Sequence, residues 1–175
     1  MTNRVEERWT YQLMSRLGKK ICRRDFLIYI LNLTWGLLLN IIGGLTLLIL
    51  LPFGKVERYN GYIFLRFKHN SRSNIYQNFG FNLGLFSFVT MYSRKSLLDH
   101  ELGHCIQNAI LGPLTIFLVH IPSTIRYHYR NWVEKRGNDL DTQYDDVWFE
   151  ASATEIGYYM GKRHDYLDDY MPRFV

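Results

Sequence analysis

The stretch "LLDHELGHCI" (residues 97–106) sets the organisation of the chain, because it places His100 and His104 four residues apart. Four residues is slightly more than one helical turn, so the two imidazoles of a helix here project from one face and can hold a single metal ion. Ser96 followed three residues later by Asp99 is typical of a helix start. The stretch therefore predicts a helix that carries half of a metal site.

Glu101 stands directly after the first of these histidines. A carboxylate at this position can reach a water molecule beside the metal without binding the metal itself, which is the general-base arrangement of H-E-x-x-H hydrolases. The motif alone leaves open a second interpretation, a helix that merely carries two polar residues. A third ligand elsewhere in the chain decides between the two.

The segment "YDDVWFEASATEIGYYMG" (residues 144–161) predicts a second helix, with Glu150, Ala153, Thr154 and Gly157 on one face. Three small residues on that face let the helix approach another closely, so that the carboxylate can reach a metal held by His100 and His104. Two imidazoles and one carboxylate leave one position open, as in catalytic Zn²⁺ sites. We therefore expect Glu150 to be the third ligand.

Other residues compete for roles at this site. A third histidine six residues after His104 would suit a metzincin, but that position is Ile110. Asp146 shares the face of Glu150 and either supports the site or caps the helix, whereas Glu155 is expected on the opposite, solvated side. His128 either stabilises an oxyanion or has no catalytic part.

The run from Phe26 to Gly54 contains no charged residue and is long enough to cross a bilayer. Basic residues in the preceding segment favour a cytoplasmic N-terminus. We expect one transmembrane helix. The alternatives are a hairpin that folds back near Asn40 and Gly43-Gly44, which keeps both ends on one side, and burial of the run in a soluble core.

Composition narrows the class of partner. The chain of 175 residues is long enough for one domain, and its formal net charge of +5 is concentrated in the front half, while the tail is acidic. No recognition helix or basic-aromatic pattern for nucleic acid accompanies the basic half, so anionic lipid is the better partner. Two cysteines cannot form a disulfide framework.

The segments around the motif are aromatic or apolar. Residues 59–67 and 78–92 alternate and predict one antiparallel hairpin, whose edge strand could pair with an extended peptide, as in zincin-type peptidases. Residues 109–125 carry no Lys, Arg, Asp or Glu, and Pro113 and Pro122 are expected to break any continuous helix there. We expect this segment to lie in the membrane surface or to be re-entrant.

Together, the H-E-x-x-H motif and the E-x-x-A at Glu150 to Ala153 resemble the gluzincin group of zinc metallopeptidases. That group commonly has an aspartate four residues after the glutamate, and Thr154 stands there instead, where it could offer a hydrogen bond. The blocks "ILNLTWG", "HELGHCIQNAILGP", "IPSTIRY" and "YDDVWFEASAT" resemble those of a family of short, uncharacterised bacterial membrane proteins. This resemblance implies the bacterial cytoplasmic membrane and no known substrate.

We therefore expect an α+β membrane protein with an N-terminal transmembrane helix or hairpin, a small antiparallel sheet and a zincin-like helical core. The expected division is a basic juxtamembrane segment (1–25), a transmembrane segment (26–54), a metallopeptidase domain (55–161, with 110–125 membrane-associated) and a C-terminal tail (162–175). The expected function is Zn²⁺-dependent hydrolysis of peptide or protein substrates. An intramembrane protease, or a non-catalytic protein with a structural metal or a toxin-immunity role, are the alternatives.

Overall fold

The computed structural model describes residues 8–68, 79–137 and 146–170, which form an α+β fold, as predicted. The helices within them are α1 (Trp9–Cys22), α2 (Asp25–Leu33), α3 (Leu37–Leu50), α4 (Lys95–Leu111), α5 (Ile121–Glu134) and α6 (Trp148–Tyr170). The strands are β1 (Gly54–Tyr59), β2 (Tyr62–Phe67), β3 (Gly80–Leu83) and β4 (Phe86–Thr90).

The strands form one mixed sheet in the order β1-β2-β4-β3, with β2 and β4 parallel. The prediction of a single antiparallel hairpin is wrong, because the chain turns back twice. Asn60 and Gly61, both with positive φ, join β1 to β2, and Gly84, also with positive φ, joins β3 to β4. An Asn-Gly pair is a strong hairpin signal, since both residues tolerate the left-handed region. Two short hairpins therefore lie side by side.

Helix α4 lies at the centre of the fold and is buried over most of its length between Leu98 and Ala109. Helix α6 packs against it at very short range. A Cβ at Gly103 would collide with the backbone of Ala153, and a Cβ at Gly157 would collide with the backbone of α4. The prediction that small residues allow close approach of the two helices is thus confirmed.

Helix α1 packs on α6 and belongs to the same hydrophobic core as α4. Tyr11 donates a hydrogen bond of 2.6 Å to Glu155, and Ser15 and Lys19 contact the same carboxylate. The prediction that Glu155 is solvated is only partly right, because its side chain is 31% exposed while three side chains of α1 contact its carboxylate. The described part of the N-terminal segment therefore forms a helix that packs in the hydrophobic core.

The apolar run at 26–54 does not form one helix. It breaks at residues 34–36 into α2 and α3, and the two halves are bent by 88°. In the part of the chain that the structure describes, no single helix is long and apolar enough to cross a membrane, although the bent pair together has the required length and composition. The expected single transmembrane helix is therefore wrong, and the bent pair has the form of a broken span or of a re-entrant segment. The expected fold-back is also misplaced, because Asn40, Gly43 and Gly44 lie inside α3.

After α4 the chain turns at Gly112, whose φ is 56°, and passes through a π-helical turn (Ile116–His120) into α5. The prediction that Pro122 breaks a continuous helix in this segment is wrong. It occupies the first turn of α5, where its missing N–H is tolerated after the wider π turn. The outer side of the segment exposes large apolar and aromatic side chains, namely Phe117, Leu118, Ile121, Ile125, Tyr129 and Trp132.

Helix α6 continues to Tyr170, so the tail predicted from residue 162 begins inside a helix. Arg163 pairs with Asp25 at 3.0 Å, which ties this part of α6 to the start of α2. The loop predicted around Gly137 to Thr142 lies mostly outside the described residues.

Candidate metal centre

Helices α4 and α6 bring His100, His104 and Glu150 together, and this group of donors, which could hold a metal ion, is called the metal centre below. Nε2 of His100 lies 3.1 Å from Nε2 of His104 and 3.1 Å from Oε2 of Glu150. Nε2 of His104 lies 3.4 Å from the same oxygen. A tetrahedral ion with ligands at about 2.1 Å separates its ligand atoms by about 3.3 Å. The three atoms therefore fit one metal ion, as predicted.

The orientation of the first imidazole is fixed from α6. Nδ1 of His100 lies 2.8 Å from Oγ1 of Thr154, the hydrogen bond anticipated at this position. Such outer partners hold a ligating ring in place and set its tautomer. Asp146, the other residue predicted to support the site, lies two residues before the first residue of α6, and its role stays a prediction.

Gln107, which sequence reasoning missed, fixes the second imidazole. Its Nε2 donates to the Phe149 carbonyl (2.7 Å) and to Ser152 (2.9 Å), so its Oε1 faces His104 as an acceptor. Nδ1 of His104, 2.8 Å away, must then donate, so in the neutral imidazole the lone pair of Nε2 is directed at Glu150, and in the protonated one Nε2 donates to it. The available signal was a glutamine three residues after a ligand, on the same helix face.

Glu150 is 0% exposed and His104 is also buried, whereas His100 is partly exposed. Burial alone would raise the pKa of Glu150, but hydrogen bonds from the two imidazoles hold it well below its usual range. Burial alone would lower the pKa of His104, whereas its hydrogen bond to Glu150 raises this pKa to about 9. Both shifts have the same physical meaning. The cluster is built to hold positive charge, as a proton or as a metal ion.

Glu101 lies beside the ligands but does not belong to the group of converging donor atoms. It is buried, and its Oε2 has no hydrogen-bond partner within the described residues. Burial raises the pKa of Glu101, and the neighbouring imidazoles of His100 and His104 oppose this effect. Strand β3 passes directly over it, since a Cβ at Gly80 would come within 2.7 Å of Oε1. Glu101 is thus a buried carboxylate with one oxygen left for another partner.

A cavity of about 730 Å³ opens onto His100 and Glu101. Strand β3 forms one wall, and it is an edge strand of the sheet. The inner face of α5 forms the opposite wall, through Ser123, Tyr127 and Asn131 among others. The cavity therefore gives access to the metal centre between a strand edge and a helix.

Two further histidines line this cavity. His128 is exposed on α5, so it lies near the site as predicted, while its catalytic role stays a prediction. The ring of His120 lies 6.3 Å from that of His104, and its buried Nε2 has no hydrogen-bond partner among the residues described. Burial lowers the pKa of His120 to about 4, so its imidazole is neutral at physiological pH. It is not one of the converging ligands.

No protein-family model, curated protein or solved structure matches this chain. The resemblance to gluzincins and to short bacterial membrane proteins therefore stays a prediction. The function has to be inferred from the geometry of the metal centre and of the cavity.

Proposed function

We propose that the protein is a membrane-associated, zinc-dependent peptidase. The supporting observation is that a buried carboxylate with an unused oxygen, Glu101, adjoins three converging metal donors at the end of an open cavity. The bacterial cytoplasmic membrane, the location implied by the family resemblance, is part of this proposal. The substrate class is an extended peptide or protein segment.

Zinc is the metal that suits this set of donors. Two imidazoles and one carboxylate are a ligand set of catalytic zinc, whereas structural zinc sites have four protein ligands. The group in the described residues contains three, His100, His104 and Glu150. Zinc bound there would supply an acidified water and polarise a peptide carbonyl.

Glu101 has the position of a general base. Its Oε2 is buried, faces no other hydrogen-bonding group in the described chain and borders the cavity, so it can accept a proton from an attacking water. The same oxygen can then deliver that proton to the leaving amine. Because Glu101 is buried on α4 beneath β3, its carboxylate keeps one position during both proton transfers.

Strand β3 is suited to hold the substrate. Its outer edge lines the cavity, so an extended peptide can add to the sheet there through main-chain hydrogen bonds. Because Gly80 lies over Glu101, a peptide paired with β3 would carry a carbonyl past the general base and the metal centre.

The test is hydrolysis of a peptide library by Glu101→Gln beside the wild type, with Glu155→Gln as a matched control on α6. E101Q keeps the shape of the side chain, so it should retain zinc and lose at least about a hundredfold in rate. E155Q should keep both zinc and most of the activity. Undiminished hydrolysis by E101Q, or hydrolysis by zinc-free wild type, would refute the proposal.

A further inference from the structure

The elements on the two sides of the apolar run share one hydrophobic core. Helix α1 precedes the run, and its Met14 packs in the same buried cluster as Tyr62, Leu102 and Ile156, which follow the run. Helix α1 also holds Glu155 of α6 through several side chains. A chain that crossed a bilayer between α1 and β1 would separate these residues. The run therefore has to begin and end on the same side.

A buried asparagine cluster (Asn32, Asn40 and Asn108) stabilises the turn between α2 and α3. Nδ2 of Asn40 donates to the carbonyls of Asn32 (2.8 Å) and Gly36 (3.0 Å). Nδ2 of Asn108, on α4, donates to Oδ1 of Asn32 (2.6 Å) and to the carbonyl of Gly36 (3.3 Å). At membrane depth a broken helix is tolerated only where protein satisfies the freed backbone groups. The asparagine cluster meets that condition.

The other side of the bent pair exposes large apolar side chains to its surroundings. Examples are Phe26, Trp35, Leu45, Leu48 and Ile49, and the last two are 67% and 69% exposed. This surface extends toward α5, because the ring of Trp35 lies against Gly112 at the start of the next apolar segment. A contiguous apolar surface of this kind marks a membrane or protein contact.

Charge decides between these two partners. Arg23 and Arg24 are exposed just before α2, and Lys55 and Arg58 are exposed just after α3, so both ends of the bent pair carry cations. The run between them has no charged residue. Anionic phospholipid head groups attract basic residues that flank an apolar segment.

From these observations we propose that α2 and α3 form a re-entrant wedge, which enters one leaflet of an anionic phospholipid bilayer and returns to the side from which it came. The cations at its two ends lie among the head groups, and α1, the sheet and the metal centre all lie on that one side. This inference goes beyond the proposed function and does not depend on catalysis.

The first experiment is labelling with a membrane-impermeant maleimide in spheroplasts and in inverted vesicles. One cysteine is placed before the wedge, by Arg16→Cys, and one after it, by Lys68→Cys, because both positions are exposed. The wild type is the control, since Cys22 and Cys105 are buried. Both variants should react from the same side. Reaction of R16C and K68C from opposite sides would overturn the proposal.

The second experiment measures binding of purified protein to phosphatidylcholine vesicles with and without phosphatidylglycerol. Binding should require the anionic lipid, and Lys55→Gln should weaken it about fivefold. Replacing Leu48 and Ile49 by Glu should weaken it at least about seventyfold, which is the cost of one charge inside the apolar layer. Tyr92→Glu, at an 85% exposed position outside the wedge, should leave binding unchanged. A protein that ignores both kinds of vesicle, for instance a soluble oligomer joined through this surface, would overturn the proposal.

Discussion

Helix α4 carries two buried polar clusters on different faces, and they contain opposite arrangements of donors and acceptors. The asparagine cluster joins α4 to the turn between α2 and α3, through Asn108. The metal centre joins α4 to α6, through His100 and His104. Both consist mostly of buried polar side chains, so burial and polarity do not distinguish them.

The two clusters differ in which hydrogen-bonding groups face each other. In the asparagine cluster each amide nitrogen is directed at carbonyl oxygens, so every donor meets an acceptor, and the one oxygen without a partner among the described residues, Oδ1 of Asn108, does not face a negative charge. In the metal centre Gln107 holds the proton of His104 on Nδ1, and the lone pair of Nε2 therefore faces a carboxylate 3.4 Å away. Acceptor facing acceptor is costly unless a cation or a proton stands between them. A buried cluster whose donors all meet acceptors indicates a structural role. A buried cluster in which acceptors face each other indicates a site for a bound cation or proton.

The largest effect is expected for the Glu150→Gln variant, which should lose its bound metal. This variant tests whether the facing acceptors of the metal centre bind an ion. Glutamine keeps the volume but removes the negative charge that faces the two imidazoles, so the variant should lose essentially all bound zinc, against about one ion per wild-type chain. Elemental analysis of the purified proteins measures this. E155Q is the control and should keep its zinc. Full zinc content in E150Q would show that the three donors are not the metal site.

A smaller effect is expected from Gln107→Leu, because Gln107 contacts the ligand His104 but is not itself a ligand. Loss of the Nδ1 acceptor frees the ring and its tautomer, which should lower zinc affinity by about ten- to a hundredfold. Competition with a chromogenic chelator gives the value. Thr154→Val should have less effect, since Thr154 is exposed and water can replace its hydroxyl. Equal effects would contradict the role assigned to Gln107.

For the asparagine cluster, Asn108→Leu should change stability and not metal binding. The substitution removes the donor to Oδ1 of Asn32, while the Gly36 carbonyl keeps Asn40 as a donor, so the expected loss is about 1–3 kcal/mol. Denaturant unfolding measures this, with Thr34→Ala, an exposed hydroxyl on the same turn, as a control near zero. A large fall in zinc affinity of folded N108L would show that the two clusters are coupled.

The same substitution has a chemical readout at Cys105, whose Sγ lies 3.7 Å from Nδ2 of Asn32. Burial raises the pKa of the Cys105 thiol, so wild-type protein should resist alkylation at neutral pH. N108L should react faster as the cluster opens. Cys22, whose pKa burial raises to about 12, is the internal reference and should stay unreactive in both proteins. Equal protection of Cys105 would argue against local opening.

The smallest effect is expected where charges are partly exposed. Lys19 contacts Glu155 with side-chain exposures of 38% and 31%, so solvent and salt screen the pair. Lys19→Met should cost about 0.5 kcal/mol of unfolding free energy at low salt and less at high salt. Lys20→Met, an exposed neighbour, should cost nothing measurable. A salt-independent loss in K19M would indicate packing by the side-chain stem instead of charge.

Sequence reasoning succeeded where the relevant spacing is local. The face shared by His100 and His104 follows from helical period alone, and the small residues around Glu150 predict close helix packing. It failed where distant segments meet. Nothing near Glu155 in the sequence indicates α1 as its neighbour, and the parallel pairing of β2 and β4 joins two hairpins that are each local.

The apolar run shows why hydrophobicity misled the prediction. Its length satisfies the requirement for a span, but Asn32 and Asn40 of the run cooperate with the distant Asn108 to hold the break at residues 34–36. Asn108 belongs to the helix of the metal motif, so the partner that stabilises the turn lies outside the run. The hairpin signal Asn60-Gly61, in contrast, was present in the sequence and was missed.

The docking of α6 has a consequence for biosynthesis. The histidines of α4 leave the ribosome well before Glu150. Glu155, the residue of α6 that the side chains of α1 contact, follows only after Glu150. A nascent chain that ends before α6 has two of the three metal donors and an N-terminal helix without its main support. The chain therefore becomes able to retain a metal ion only late, when α6 docks on α1 and α4. Metal retention thus indicates that translation has passed α6.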